Sequence, residues 1–298
     1  MLKPQSAIFQ ENSNQFYHLE YQLDPSYSAE KIIPALQHAL TKQSDQINLV
    51  VAFGKRLWQQ LNPTWTPVEL EEFTTLTSPQ GHTAPATQRD LLIWIHSLSH
   101  DNNFDQVLHI QNALSGIAEL KLDLPGFTYH DSRDLIGFVD GTANPKEDQR
   151  QLAAVIPEGQ VGAGGCYVLS QKWVHKLNDF NQLPVEKQEK VVGRTKEDDI
   201  ELEGDAMPAD SHVSRTDVKV DGKAMKIYRR SAPYGSATES GLYFLSFACE
   251  LERFSIQLKR MYGLTEDGIT DKLIDFSDAV SSSYWFAPSE QDLARILN

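Results

Sequence analysis

The chain has 298 residues, with 27 Lys and Arg against 41 Asp and Glu, so its formal net charge is −14. A hydrophobic fraction of 40% with 17 Gly and 14 Pro is that of a globular protein large enough for two domains, and it excludes collagen, disorder and coiled coil. The negative charge argues against a broad surface for nucleic acid or for an anionic membrane.

The cysteines and the N-terminus exclude further classes of protein. Cys166 and Cys249 lie far apart and outside any CxxC, CxxCH or zinc-ligand spacing, which excludes a disulfide framework, a zinc ribbon and a covalently attached c-type haem. No apolar run has the length of a signal peptide or a membrane span. We therefore expect a cytoplasmic protein.

The first half of the chain predicts alternating strands and helices. In chain order, apolar alternation and periodicity predict strand 16–23, a helix from Ala29 to Lys42, strand 47–53, a short helix from residue 56 and strand 91–98. The polar, Pro- and Thr-rich stretch 62–87 predicts a long surface excursion.

A weak internal repeat links the two halves. When the chain is shifted by 150 residues, strand 91–98 falls on 241–248, and the apolar positions that follow each strand coincide. A strand followed by an amphipathic helix in each half indicates a duplicated α+β unit. We expect the boundary in a polar segment, giving domains 1–150 and 151–298.

The second half opens with a strand behind a glycine cluster, followed by a helix over Val185–Val192. The run Glu197–Asp210 contains seven acids and no Lys or Arg, a composition typical of a solvated loop. It lacks the glycine and the terminal glutamate of an EF-hand.

Three short segments carry residues suited to chemistry. In GFVDGTANP, Asp140 stands between two glycines, which is typical of a hairpin turn but also lets backbone approach a ligand closely. In SHVSRTD, His212 is one of nine histidines, and one imidazole is enough to hold haem iron. In KIYRRSAPYG, strand alternation puts Arg229 and Ser231 on one face. For the KIYRRSAPYG segment, the residues alone do not decide between an edge strand with solvated arginines and the wall of a polar pocket.

In combination and in this order, these segments closely resemble the signature segments of the dye-decolourising (Dyp-type) haem peroxidases, especially their cytoplasmic bacterial branch. The similarity extends through VVAFG, GGCYVLSQKWVHKL, VVGRTK, GLYFLSFAC and YWFAPS, and so covers nearly the whole chain. The resemblance implies an α+β fold of two ferredoxin-like halves with antiparallel sheets. It also implies one non-covalent haem b per chain, held mainly by the C-terminal half.

The resemblance assigns roles to the iron-facing residues. His212 is expected to be the proximal iron ligand. On the distal side, Asp140 is expected to act as acid and base toward peroxide, and Arg229 to stabilise developing charge or to retain haem. Ser231 is expected to orient peroxide or water beside them.

The family also suggests contacts around the haem. Arg194 is expected to pair with a haem propionate, and Gly141 and Thr142 to contact the cofactor. In TDKLIDFSD, Asp271 and Asp275 stand at i, i+4, which predicts both on one helical face. Of these two, the resemblance favours Asp271 over Asp275 as the carboxylate that anchors the ring of His212. Arg230 departs from a position that is often neutral in near relatives.

The implied activity is oxidation of small aromatic, phenolic or dye-like donors by hydrogen peroxide through a ferryl intermediate. Donors are expected to give up electrons at the haem edge or through surface Tyr and Trp, and the chain is expected to form a homo-oligomer, a dimer or larger. Two alternatives stay open: a deferrochelatase that releases iron from haem, and a binding module of the same fold without haem.

Overall fold

The computed structural model describes residues 2–298. Its strands are β1 (Gln15–Leu23), β2 (Asn48–Phe53), β3 (Leu76–Thr77), β4 (Thr83–Ala84), β5 (Leu91–Ser97), β6 (Ala118–Phe127), β7 (Cys166–His175), β8 (Lys219–Val220), β9 (Lys223–Ala224), β10 (Tyr228–Arg229), β11 (Ala232–Gly235), β12 (Ser240–Ala248), β13 (Ser277–Ala279) and β14 (Ser283–Ala287). Its α-helices are α1 (Ala29–Ala39), α2 (Lys55–Leu61), α3 (His100–Leu114), α4 (Gln149–Ala154), α5 (Leu177–Asn181), α6 (Val185–Val192), α7 (His212–Thr216), α8 (Glu252–Met261) and α9 (Glu290–Leu297). Short 3-10 helices lie at Ser6–Phe9, Gly204–Ala206 and Lys272–Asp275.

One antiparallel sheet joins the two halves of the chain. Its strand order is β10-β12-β7-β14-β2-β5-β1-β6, with β11 also paired to β12 and β13 to β7. The halves meet where Phe286 of β14 pairs with Phe53 of β2. At the other side, a Cβ at Gly126 of β6 would lie 3.1 Å from that of Ala232 in β11. The sheet is therefore curled into a nearly closed barrel, and the α+β antiparallel fold class is confirmed.

The predicted elements of the first half are present, with two differences. Helix α1 ends at Ala39, three residues before the predicted Lys42. The stretch 62–87 is more than a surface excursion, because it contains the paired strands β3 and β4 and buries Leu70 and Phe73 in the core. The strand and helix unit that the repeat predicts recurs as β5 with α3 and as β12 with α8. The boundary between 1–150 and 151–298 stays a prediction.

The inner face of the curled sheet buries polar groups among aromatic rings. Glu20 accepts hydrogen bonds from the Tyr243 hydroxyl at 2.6 Å and from the Ser170 hydroxyl at 3.1 Å. Burial raises the pKa of the Glu20 carboxyl above its usual value. His18 stacks on Tyr243 with ring centroids 4.1 Å apart, and burial lowers the pKa of His18 to about 3.

The N-terminal segment is tied to this barrel by Arg230. Its guanidinium donates to the carbonyl oxygens of Ile8 at 2.7 Å and Gln10 at 2.6 Å, and it stands 5.0 Å over the ring of Trp94. Arg230 is therefore bonded to the N-terminal segment and is not a freely solvated arginine. Among residues 2–298, no helix is both long and apolar enough to cross a bilayer.

Candidate functional site

Strand alternation builds an apolar cavity between the sheet and the helices of the second half. Leu169 and Trp173 of β7 and Leu242 and Phe244 of β12 line a cavity of about 860 Å³. Further apolar wall residues come from α8, from the 3-10 helix at Lys272–Asp275 and from the residue after it: Phe254, Leu258, Met261, Ile274 and Phe276. Because this space is walled mainly by hydrocarbon, it suits a large apolar ligand.

A second, more polar cavity of about 910 Å³ adjoins the first. Asp140, Gly141, Thr142 and Arg194 line this cavity. Both cavities share five wall residues: His212, Thr216, Ile227, Arg229 and Gln257. The two cavities are therefore continuous. We call the combined space, with its apolar interior and its polar edge, the slot.

His212 is held in the wall of the slot by two local features. Ser211 caps the five-residue helix α7, accepting from the backbone N–H of Ser214 at 3.3 Å, and so His212 takes the first helical position. Its Nδ1 donates to Asp271 Oδ2 at 2.7 Å. Because the first ring nitrogen is thus occupied, Nε2 is the nitrogen left for a ligand.

Asp271 is buried, with a side chain 0% exposed. Its other oxygen accepts from the backbone N–H of Leu273 at 2.9 Å, because Asp271 caps the 3-10 helix. The segment predicted to put Asp271 and Asp275 on one helical face is a single 3-10 turn instead. Asp275 pairs with His82 at 2.9 Å and with Lys272. The structure thus places Asp271, and not Asp275, against His212.

Asp140 and Arg229 form another part of the slot's wall. Gly141 has φ of +97°, which suits glycine at the bend after Asp140. Arg229 Nη2 lies 3.7 Å from Asp140 Oδ1, with side chains 24% and 33% exposed. Both residues are partly accessible from the slot. The alternative of a solvated edge strand therefore fails for Arg229, although β10 does lie at a sheet edge.

Asn144 fixes the spacing between these two residues. Its amide accepts from the Arg229 backbone N–H at 2.8 Å and donates to the Arg229 carbonyl at 2.8 Å. The loop that carries Asp140 is thereby bonded to the strand that carries Arg229. This role of Asn144 is not predictable from its position inside the GFVDGTANP segment.

The Nε of Arg229 is buried and has no hydrogen-bond partner among residues 2–298. A buried N–H donor without a partner is costly unless a bound group or water satisfies it. The slot therefore offers a donor beside Asp140 that the protein leaves for a ligand.

Arg194 lies in the polar wall but is already bonded to protein. Its Nε donates to Asp199 Oδ1 at 2.6 Å and its Nη1 to Glu201 Oε2 at 2.8 Å. The Thr142 hydroxyl also donates to Asp199. The acidic loop over Glu197–Asp210 is mostly exposed, as its composition predicts, but Asp199 is partly buried against Arg194.

Ser231 lies outside the slot, in a third cavity of about 790 Å³ that it shares with Asp140, Arg229 and Arg230. Its hydroxyl accepts from the backbone N–H of Leu245 at 3.4 Å. Arg229 lines this cavity as well as the slot. Ser231 therefore lines a cavity that reaches the Asp140 and Arg229 pair from outside the slot.

Comparison with known proteins identifies the family of the chain. The family model described as Dyp-type peroxidase, N-terminal, matches residues 15–128, and the one described as Dyp-type peroxidase, C-terminal, matches residues 131–292. The chain belongs to the Dyp-type peroxidase family. This family comprises oxidoreductases that act on peroxide.

Individual Dyp-type peroxidases are similar along most of the chain. The dye-decolorizing peroxidase of Mycobacterium tuberculosis is 38% identical over 247 residues, which cover 82% of this chain and 73% of that protein. The structure of a Dyp-type peroxidase protein from Shewanella oneidensis has a TM-score of 0.92 and 32% identity, covering 100% of this chain and 98% of that one. A DypB variant from Rhodococcus jostii, solved in complex with haem, has a TM-score of 0.90 and 30% identity, covering 98% of each chain.

Proposed function

We propose that the protein is a haem b peroxidase that uses hydrogen peroxide to oxidise aromatic, phenolic or dye-like donors. The observation that carries the proposal is the slot, with the imidazole of His212 oriented by Asp271 and the Asp140 and Arg229 pair in another part of its wall. A porphyrin matches an apolar interior with a polar edge, and His212 Nε2 is free to bind its iron. Haem supplies the redox chemistry, taking two oxidising equivalents from peroxide and withdrawing electrons from donors through an oxidised state.

The residues around the slot would divide the remaining tasks. Asp140 would take the proton from one peroxide oxygen and return it to the other, since a carboxylate accepts a proton and its neutral form donates it. Arg229, whose Nε lacks a protein partner, would stabilise the negative charge that develops as the O–O bond breaks. Ser231, on the adjoining cavity, would orient incoming peroxide or water.

The polar edge of the slot would receive the haem carboxylates. Arg194 lines this edge together with Gly141 and Thr142. Because Asp199 and Glu201 already bind Arg194, a propionate would share the guanidinium with them or displace Glu201, whose side chain is 50% exposed.

The first test concerns haem binding. His212→Ala should abolish the intense Soret absorption of protein that has been reconstituted with haem, whereas His100→Ala, at an exposed position, should leave it unchanged. A wild-type protein that stays colourless with excess haem would contradict the proposal and support a haem-free binding module. Free porphyrin and released iron, assayed in parallel, would reveal a deferrochelatase.

The second test concerns the proton transfer. Asp140→Asn removes the base but keeps the size of the side chain, so the first spectral change after mixing with peroxide should slow by about 10² or more. Stopped-flow absorption measures this rate. Asp148→Asn, an exposed change near the same loop, should react at the wild-type rate. An unchanged rate for Asp140→Asn at every pH would remove Asp140 from this role.

Location and assembly are part of the same proposal. We infer a cytoplasmic protein that forms a homo-oligomer of two or more chains. Sedimentation of the haem-loaded protein measures the oligomeric state.

A further inference from the structure

A fourth cavity, of about 950 Å³, opens beside the slot. Its wall consists of Ala143, Pro145, Lys146, Gln149, Leu152, Ala153, Lys223, Ala224, Lys226 and Arg253. We call it the basic cleft. It gathers four cations and no Asp or Glu, although the chain as a whole has a net charge of −14.

Buried hydrogen bonds fix one of these cations in place. Arg253 is only 6% exposed, and it donates to the Lys226 carbonyl at 2.8 Å and to Glu250 Oε2 at 2.9 Å. A buried arginine held by two acceptors has a fixed position. The wall of the basic cleft is therefore built from the protein interior and is more than a group of surface lysines.

The carboxylates bonded to the four cations of the basic cleft are fewer than the cations. Glu250 bonds Lys223 at 2.9 Å as well as Arg253, and Asp217 bonds Lys226 at 2.7 Å. Lys146 has no ion-pair partner among residues 2–298. Four cations thus face two carboxylates, and neither carboxylate lines the basic cleft. The local field favours an anion.

The basic cleft also has apolar wall residues. Leu152 is 65% exposed there, beside Pro145 and three alanines. An inorganic anion gains nothing from such a surface, whereas an aromatic ring buries apolar area on it. Hydrocarbon next to several cations therefore suits a molecule that combines an aromatic ring with an anionic group.

The position of the basic cleft relates it to the redox site. Ala143 and Lys226 line both the basic cleft and the polar part of the slot, where His212, Asp140 and Arg194 also lie. A molecule in the basic cleft is thus separated from a ligand in the slot by a shared wall, a separation suited to electron transfer without direct contact with iron.

We propose that the basic cleft binds anionic aromatic donors, such as phenols that carry a sulfonate or carboxylate, and holds them for oxidation at the haem edge. This inference rests on the proposed peroxidase function. Two phenolic donors each lose one electron to the oxidised haem and one proton to solvent. Together they restore the two electrons and the two protons with which one peroxide is reduced to two waters.

Donor kinetics of the haem-loaded enzyme test the proposal. In the double variant Lys146→Gln/Lys223→Gln, kcat/KM for 4-hydroxybenzenesulfonate should fall about fivefold, the effect of removing one or two exposed charges near a bound anion. For the neutral donor 4-hydroxybenzyl alcohol, kcat/KM of the double variant should change by less than about twofold, because this donor has no charge to interact with the lysines. Lys42→Gln, an exposed change outside the cleft, should affect neither donor.

An equal loss for both donors, or an equal effect of Lys42→Gln, would overturn the proposal. Binding of benzenesulfonate, which is not oxidised, gives a second readout. Chemical shift changes of the Leu152 methyl groups should saturate in the wild type and weaken in the double variant. If no donor is oxidised but benzenesulfonate still binds, the peroxidase function fails and the anion site stands. If donors are oxidised but benzenesulfonate leaves Leu152 unaffected, the anion site fails alone.

Discussion

The carboxylate of Asp271 is buried and accepts from two donors, the Nδ1–H of His212 and the backbone N–H of Leu273. The backbone contact fixes the carboxylate before any ligand binds. A fixed negative charge on Nδ1–H increases the basicity of Nε2, and a more basic axial ligand stabilises ferric over ferrous iron. With His212 as the proposed iron ligand, Asp271 would be a positioning residue that sets the reduction potential of the bound haem.

Replacing this carboxylate should raise the potential without loss of the cofactor. In Asp271→Asn, the Leu273 contact is kept but the negative charge facing His212 is lost, so the ferric/ferrous midpoint should rise by about 40 mV or more, the order expected for an interaction of about 1 kcal/mol in a one-electron couple. Spectroelectrochemical titration measures it. Asp275→Asn, which removes a partner of His82 and Lys272 instead, is the matched control. Equal potentials in all three proteins would show that Asp271 has no such influence.

The residues of the site were accessible from sequence to different degrees. His212, Asp140 and Arg229 stand in short segments whose combination is distinctive, and the structure places all three in the wall of the slot. Asn144 was in one of these segments but was missed, because an Asn before proline is also typical of a plain turn. The partners of Arg194 could not be predicted, because an acidic run has the same composition whether it is solvated or bonded.

The side chains of strand β12 alternate between the two faces of the sheet. Leu242 and Phe244 face the slot, and Tyr243 and Leu245 belong to the inner cluster. The alternation in GLYFLSFA predicted the strand itself. It could not predict that Gly241, near the start of the strand, packs against the backbone carbonyl of Trp173. A Cβ added at Gly241 would lie 1.9 Å from that oxygen. Close approach of β12 to β7 there requires glycine.

This contact gives a prediction about stability. Gly241→Ala should push β12 away from β7 beside the slot, lowering the free energy of unfolding by about 1–3 kcal/mol or more. Urea unfolding of the haem-free protein measures the change. Gly235→Ala adds the same methyl group on the paired strand β11, where the nearest atom would be 3.4 Å away, and should alter stability by less than about 0.5 kcal/mol. Similar losses for both would contradict the steric explanation.

At the scale of the whole molecule, the two sheet halves enclose a common interior that contains ionisable groups. His18 and His96 are buried there, and burial lowers the pKa of each to about 3. The internal repeat predicted two similar units. Their closure, through β14 with β2 and through β6 near β11, depends on contacts between distant segments, for which the sequence carries no local pattern.

These histidines should make the fold sensitive to acid. Because the pKa of His18 is about 3 in the folded chain against 6.5 as its ordinary value, the unfolded chain binds more protons between these pH values, and stability falls as the pH falls through that window. Lowering the pH from 7.5 to 4.5 should reduce the free energy of unfolding of both proteins. The reduction should be smaller in His18→Phe than in the wild type by about 2–3 kcal/mol. Urea titrations at both pH values measure this. His100→Gln, at an exposed site, should behave as wild type; identical losses in all three would refute the prediction.

The two hydrogen bonds between Asn144 and the backbone of Arg229 also have a consequence for the sheet margin. Strand β10 ends the strand order, so its outward N–H and C=O groups would otherwise be free to recruit a strand from another chain. The Asn144 amide occupies both groups of Arg229 as a neighbouring peptide unit would. One side chain thus occupies the backbone groups that an added strand would need at this margin of the sheet.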